Sequence, residues 1–111
     1  MDGIPRDGIP GGSIRKVVVA CDAGMGSSVL LAGQLRRELR NLPVTVEHHP
    51  VAAIPADADV ILCQLGLAAR ARAVAPGKVV VGFRLFLGDP AVARVVAAVK
   101  SGGVVLGTPG S

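Results

Sequence analysis

The chain has 111 residues, enough for one domain with a real core but not for two. Half of them are apolar, yet Phe83 and Phe86 are the only aromatic residues, so the core is built from Val, Ala, Leu and Ile. The formal charge of +4, from 12 basic and 8 acidic side chains, suits an acidic partner but lacks the dense basic stripe of a nucleic-acid binder. No apolar run approaches the ~18 residues of a membrane span, and the amino terminus lacks the apolar centre of a signal peptide. Cys21 and Cys63 show neither metal-ligand spacing nor a disulfide framework, which fits a reducing cytoplasmic compartment.

Residues 1–13 repeat Asp-Gly-Ile-Pro and end in Gly-Gly-Ser, the composition of a flexible leader. Residues 14–20 (IRKVVVA) are β-branched and predict a first strand. From Ser27 or Ser28 to about Arg40 the pattern is helical, with Leu31, Leu35, Leu39 and Leu42 at three- and four-residue spacing, until Pro43 stops it. Residues 44–48 (VTVEH) alternate as a short strand does, and a Pro/Ala/Asp-rich stretch runs on to Asp59. VILC (60–63) predicts a buried strand and residues 65–74 a helix. After the Pro76-Gly77 turn, KVVVGF (78–83) predicts a further strand. Asp89 as N-cap and Pro90 at the first helical position open a last helix ending near Lys100, before Gly102-Gly103. Residues 102–111 are expected to form a flexible tail, which leaves 14–101 as the domain.

Strands alternating with helices imply a three-layer α/β fold with a parallel sheet joined by right-handed crossovers. Ligands of such sheets sit beyond the carboxyl ends of the strands. The stretch VVVACDAGMGSSVLL places Cys21, Asp22, Ala23, Gly24, Met25, Gly26, Ser27 and Ser28 there, between first strand and first helix. Gly24 and Gly26 let successive backbone N–H groups curl into an anion nest, and the helix that follows adds the positive end of its dipole. The hydroxyls of Ser27 and Ser28 are further donors. In that environment Cys21 is favoured as a thiolate, a nucleophile facing a phosphate-shaped cradle.

Three loop types compete. An ATPase phosphate loop needs a lysine, and none occurs between Lys16 and Lys78. A dinucleotide fingerprint needs a third glycine where Val29 stands, although Glu47 lies near the position of its acidic ribose partner. The third type is C-x5-[S/R], the loop of cysteine-dependent phosphoryl chemistry. Tyrosine phosphatases of low molecular weight use C-x5-R at such a junction, and Asp89-Pro90 is similar to their general-acid dipeptide. The sixth residue after Cys21 is Ser27, and without the arginine hydrolysis should be poor. A site that takes phosphate on sulfur and does not hydrolyse it is a carrier.

The stretch IRKVVVACDAGMGSS resembles the IIB domain of the phosphoenolpyruvate-dependent sugar phosphotransferase system, the mannitol type in particular, with its V-A-C-D-A-G-M-G-S-S loop. IPADADVIL is similar to that family's L-P-x-D-x-D-L-V-I segment, and VVVGFRLFLGDPAVARVVAAVK to its last strand, turn and final helix. The likeness covers residues 14–101. It implies a four-stranded parallel sheet of order 2-1-3-4 with a phosphatase-like phosphate loop after the first strand. It further implies that Cys21 is phosphorylated by a phosphohistidine of a IIA protein. Cys21 then passes the phosphate to a sugar or sugar alcohol bound by the membrane-embedded IIC transporter. The loop from Asp22 to Ser28 holds the phosphate, with no metal and no cofactor.

Two departures bear on the substrate. LGLAARA replaces a polar T-E-R-A run, and Phe83-Arg84 falls near a Thr-Asn of the mannitol members. The V-G-x-R pattern there is closer to ascorbate- or galactitol-type proteins, so these follow mannitol as candidates. Arg84, just past a strand end, is the candidate contact to phosphate or partner. Cys63 reads as core. His48 and His49 read as solvated strand-end residues, and Arg36, Arg37 and Arg40 as the outer face of the first helix. A cysteine-class phosphatase and an anion-binding regulatory module are the alternatives to the carrier. A cytoplasmic monomer with transient partners is expected.

Overall fold

A computed structural model describes residues 8–21, 26–85 and 88–107, Gly26 and Ser27 as backbone only. In chain order the elements are β1 (Gly8–Pro10), β2 (Lys16–Cys21), α1 (Gly26–Glu38), β3 (Thr45–Pro50), β4 (Val60–Gln64), α2 (Ala68–Val74), β5 (Val79–Phe83), α3 (Pro90–Ser101) and β6 (Val104–Leu106). Short 3-10 turns precede β2 and α2 and follow β3. The main sheet is parallel throughout, in the order β3-β2-β4-β5. Leaving out the short β1, this is the 2-1-3-4 arrangement expected from the sequence. No helix among the described residues is long and apolar enough to cross a membrane.

The β-branched runs of β2, β4 and β5 form strands because both faces of the sheet are covered there, which favours apolar residues at successive positions; edge strand β3 is mostly polar. Val17, Val19, Val46, Leu62, Val81 and Phe83 face one way and pack against Leu31 and Leu35 of α1 and Val92, Val95 and Val99 of α3. Val18, Ala20, Ile61, Cys63 and Val80 face the other way, towards Val51, Ala68 and Ala71. The leucine spacing of α1 is met, with Leu31, Leu35 and Leu39 all buried. The helix predicted over 65–74 divides into a 3-10 turn, Leu65–Leu67, and the α-helix proper.

Two carboxylates stitch the layers. Asp59 Oδ2 accepts the backbone N–H groups of Arg15 and Lys16 at 2.8 and 3.0 Å, and its own N–H donates to the Lys16 carbonyl. This ties the start of β4 to the start of β2. Asp89 is the N-cap of α3, as predicted, with Oδ1 accepting from Ala91 N–H at 2.8 Å and Pro90 following. Gly102 ends that helix in the left-handed conformation that a glycine adopts without a steric penalty.

Of the leader expected at 1–13 and the tail expected at 102–111, residues 1–7 and 108–111 lie outside the described residues, and the remainder includes two short strands. Gly8–Pro10 and Val104–Leu106 pair as an antiparallel ribbon, Gly8 opposite Leu106 and Pro10 opposite Val104. Ile9 and Val105 pack against the core on the α3 side. Gly11 seals the join: its N–H donates to Gly103 at 2.5 Å, and a Cβ there would run into the backbone of Ala98. Arg36 is exposed, as expected of the outer face of α1, yet it also reaches the sheet. Its Nε donates to the Val46 carbonyl at 2.9 Å, capping an acceptor on edge strand β3.

Candidate functional site

Cys21 is the last residue of β2, a strand with neighbours on both sides, opposite Pro50 of β3. The residue is 7% exposed, at the carboxyl edge of the sheet. Ser28, in the first turn of α1 and itself buried, donates its hydroxyl to the Cys21 sulfur at 3.1 Å. The sulfur also lies 4.0 Å from the His49 carbonyl oxygen. The link from Ser28 joins the end of a strand to the start of the next helix, the two sides of the loop that the sequence singles out. Asp22, Ala23, Gly24 and Met25, and the side chain of Ser27, lie outside the described residues.

The second thiol is of another kind. Cys63 is fully buried in β4, on the sheet face towards α2, and burial pushes it up to about 11 against a slight opposing pull from the Arg72 charge. It is a core residue, as its sequence context implies, and is protonated at neutral pH.

Asp89 is buried, and burial alone would raise its carboxyl. The backbone N–H groups of Leu85, Arg84 and Ala91, helped by the Arg94 charge, outweigh that and hold it below the usual carboxylate range. One oxygen accepts from Arg84 and Leu85 at 2.8 and 2.9 Å, the other from Ala91. An ionised carboxylate with both oxygens engaged has no proton to give a leaving group, so Asp89 is built as a cap and not as the general acid of a phosphatase. Its grip on Arg84 and Leu85 fixes the turn after β5, which leaves Arg84 exposed at the carboxyl edge.

His48 is exposed, and His49 is half-buried with Nε2 2.8 Å from Glu47 Oε1. The other Glu47 oxygen is 3.2 Å from Lys16 Nζ, which reaches Asp57 at 2.8 Å. The hydrogen bond from His49 and the Lys16 charge lower the Glu47 carboxyl. This surface network spans β2, β3 and the segment before β4. Among the described residues, no three His, Cys, Asp or Glu side chains group as metal ligands.

Sequence reasoning missed one feature of this edge. Val29 and Leu30 on the first turn of α1, Leu65 after β4 and Leu85 after β5 are all exposed, Leu30 by 69%. In a parallel sheet these positions share the edge at which Cys21 ends its strand. Hydrophobic residues directly after strand ends were the available signal.

A family model described as "PTS system, Lactose/Cellobiose specific IIB subunit" matches residues 16–98. The chain belongs to this family. It is 38% identical over 77 residues to the PTS system mannitol-specific EIICBA component of Vibrio cholerae, covering 68% of this chain and 12% of that protein. It is 32% identical over 90 residues to the mannitol-specific EIICB component of Bacillus subtilis, covering 79% and 19%. To the mannitol-specific cryptic EIICB component of Escherichia coli it is 33% identical over 79 residues, covering 69% and 17%. The chain thus spans less than a fifth of the length of each of these relatives. The IIB match runs through β2 to most of α3 and leaves out β1 and β6.

Proposed function

We propose that the chain is the cytoplasmic phosphoryl carrier of a sugar phosphotransferase system, with Cys21 as the residue that is phosphorylated. The observation that carries this reading is the Ser28 hydroxyl on the Cys21 sulfur, at the end of an interior strand. That donor supports negative charge on sulfur before attack and on the phosphothiolate after it. The IIB family membership and the mannitol-specific relatives support the same reading.

In the first step the Cys21 thiolate attacks the phosphorus of a phosphohistidine on a IIA protein or domain. An S–P bond forms, the P–N bond breaks, and the imidazole nitrogen keeps the electron pair. In the second step a hydroxyl of a sugar or sugar alcohol held by membrane IIC attacks the same phosphorus and loses its proton. The S–P bond breaks and the thiolate is restored. The loop Asp22–Ser28 cradles the phosphoryl group with backbone N–H groups, and Ser27 and Ser28 add hydroxyls. The exposed apolar side chains at the carboxyl edge suit transient docking of both partners, and the exposed Arg84 suits an acidic partner surface or the phosphoryl group. Mannitol is the first substrate to test, followed by ascorbate and galactitol.

The test is intact-protein mass spectrometry after incubation with phosphoenolpyruvate, the general phosphotransfer proteins and a IIA component. Wild type gains one phosphoryl group and Cys21→Ala gains none. An adduct that persists in Cys21→Ala overturns the reading. Turnover of an aryl phosphate without an adduct replaces it with a phosphatase.

A further inference from the structure

β5, the first turns of α3 and the ribbon strand β6 enclose a groove of about 620 Å³. Leu65, Phe83, Val95 and Leu106 give it apolar walls, and Arg84 and Arg94 contribute two guanidinium groups. The one carboxylate on its lining, Asp89, already accepts three backbone N–H groups. Among the described residues neither Arg84 nor Arg94 forms a direct ion pair, although the Arg94 charge is felt at Asp89. One wall, residues 104–107, lies outside the stretch matched to the IIB family, so the groove depends on this chain's own ribbon.

We infer that this groove binds an amphiphilic anion: a carboxylate or phosphate head on an unbranched or aryl apolar body. The volume falls within the range of small-molecule sites, which are mostly apolar with a few placed polar groups. Arginine forks match the two oxygens of such a head, and the apolar walls take the body. A bare inorganic anion would leave the walls wet, and a neutral hydrocarbon would leave the arginines unused. The groove shares Leu65 and Arg84 with the edge at which Cys21 ends its strand, but anion binding requires no phosphoryl transfer, so its test and that of the carrier reading can fail separately.

The experiment is an amide NMR titration of the isotope-labelled full chain with octanoate, with acetate as the control that lacks the apolar body. Saturable shifts are expected at Leu65, Phe83, Ala91, Val95 and Val105, with octanoate binding at least tenfold tighter than acetate. Arg94→Gln and, separately, Leu106→Asp each weaken octanoate at least tenfold. Both positions are exposed, and Arg94→Gln leaves the β1–β6 pairing untouched. The inference is overturned by equal affinity for acetate and octanoate, by shifts centred on the amides around Cys21, by the absence of saturable shifts, or by wild-type affinity in Arg94→Gln.

Discussion

The Ser28 hydroxyl meets the Cys21 sulfur at 3.1 Å from seven residues further along the chain. In Ser28→Ala the sulfur loses this donor while the apolar packing around it is kept. A hydrogen bond to a charged group contributes ~1.5–3 kcal/mol, which corresponds to a roughly 10- to 100-fold slower phosphorylation of Cys21. A mass-spectrometric time course measures this. Wild-type kinetics in Ser28→Ala would remove the hydroxyl from the mechanism.

The two thiols should be chemically distinct. With burial raising Cys63 to about 11, on the order of 0.1% of it is thiolate at pH 8, and its side chain is inaccessible. Iodoacetamide at that pH therefore modifies native wild type once, at Cys21, and leaves native Cys21→Ser unmodified. Both cysteines react after denaturation. Peptide mapping reads the outcome, and labelling of Cys63 in the folded protein would contradict the packing described.

Asp89 couples stability to acid. Its folded carboxyl is held below the ordinary value of 3.8, so its contribution is complete above that pH. The contribution is lost as pH falls through the lower folded value. Asp89→Ala should cost about 1–2 kcal/mol at neutral pH, the range for a lost N-cap, and should flatten the acid limb of the stability curve. Urea titrations between neutral pH and strong acid measure both effects, and an unchanged acid limb would argue against the assignment.

Gly11→Ala tests the ribbon. The added Cβ meets backbone at Ala98, which cannot yield as a flexible side chain would. Overpacking of this kind costs about 1–3 kcal/mol. Amide exchange should accelerate at Ile9 and Val105 first and leave β2 and β4 protected. Uniform acceleration across the sheet would mean that the ribbon and the domain unfold as one unit.

The parallel sheet was legible because burial on both faces writes β2, β4 and β5 as apolar, largely β-branched runs, as in KVVVA and VILC, while edge strand β3 shows as an alternation. The cap at Asp89-Pro90 was legible because capping is local chemistry. The ribbon was not: three residues are too few for a period of two to show, and Ile-Pro beside Gly-Gly carries the composition of a linker. Its partner strand stands at the opposite end of the chain, where no local pattern points to it. The reach of Arg36 to Val46 and of Asp59 to the start of β2 are likewise tertiary facts written in ordinary surface residues. At the site, the residue types named Cys21 and Ser28 as candidates. The direct contact between them is geometry, which spacing alone does not supply.

The pairing of Gly8 with Leu106 brings the first and last described strands to one corner of the domain. Polypeptide joined at either end would leave from the same corner, as two cords leave one eyelet. A fold whose first and last described strands clasp in this way is buckled at that corner, and its two ends cannot separate while the ribbon holds. Opening the ribbon would part those ends and undo the buckle while the parallel sheet keeps its own pairing.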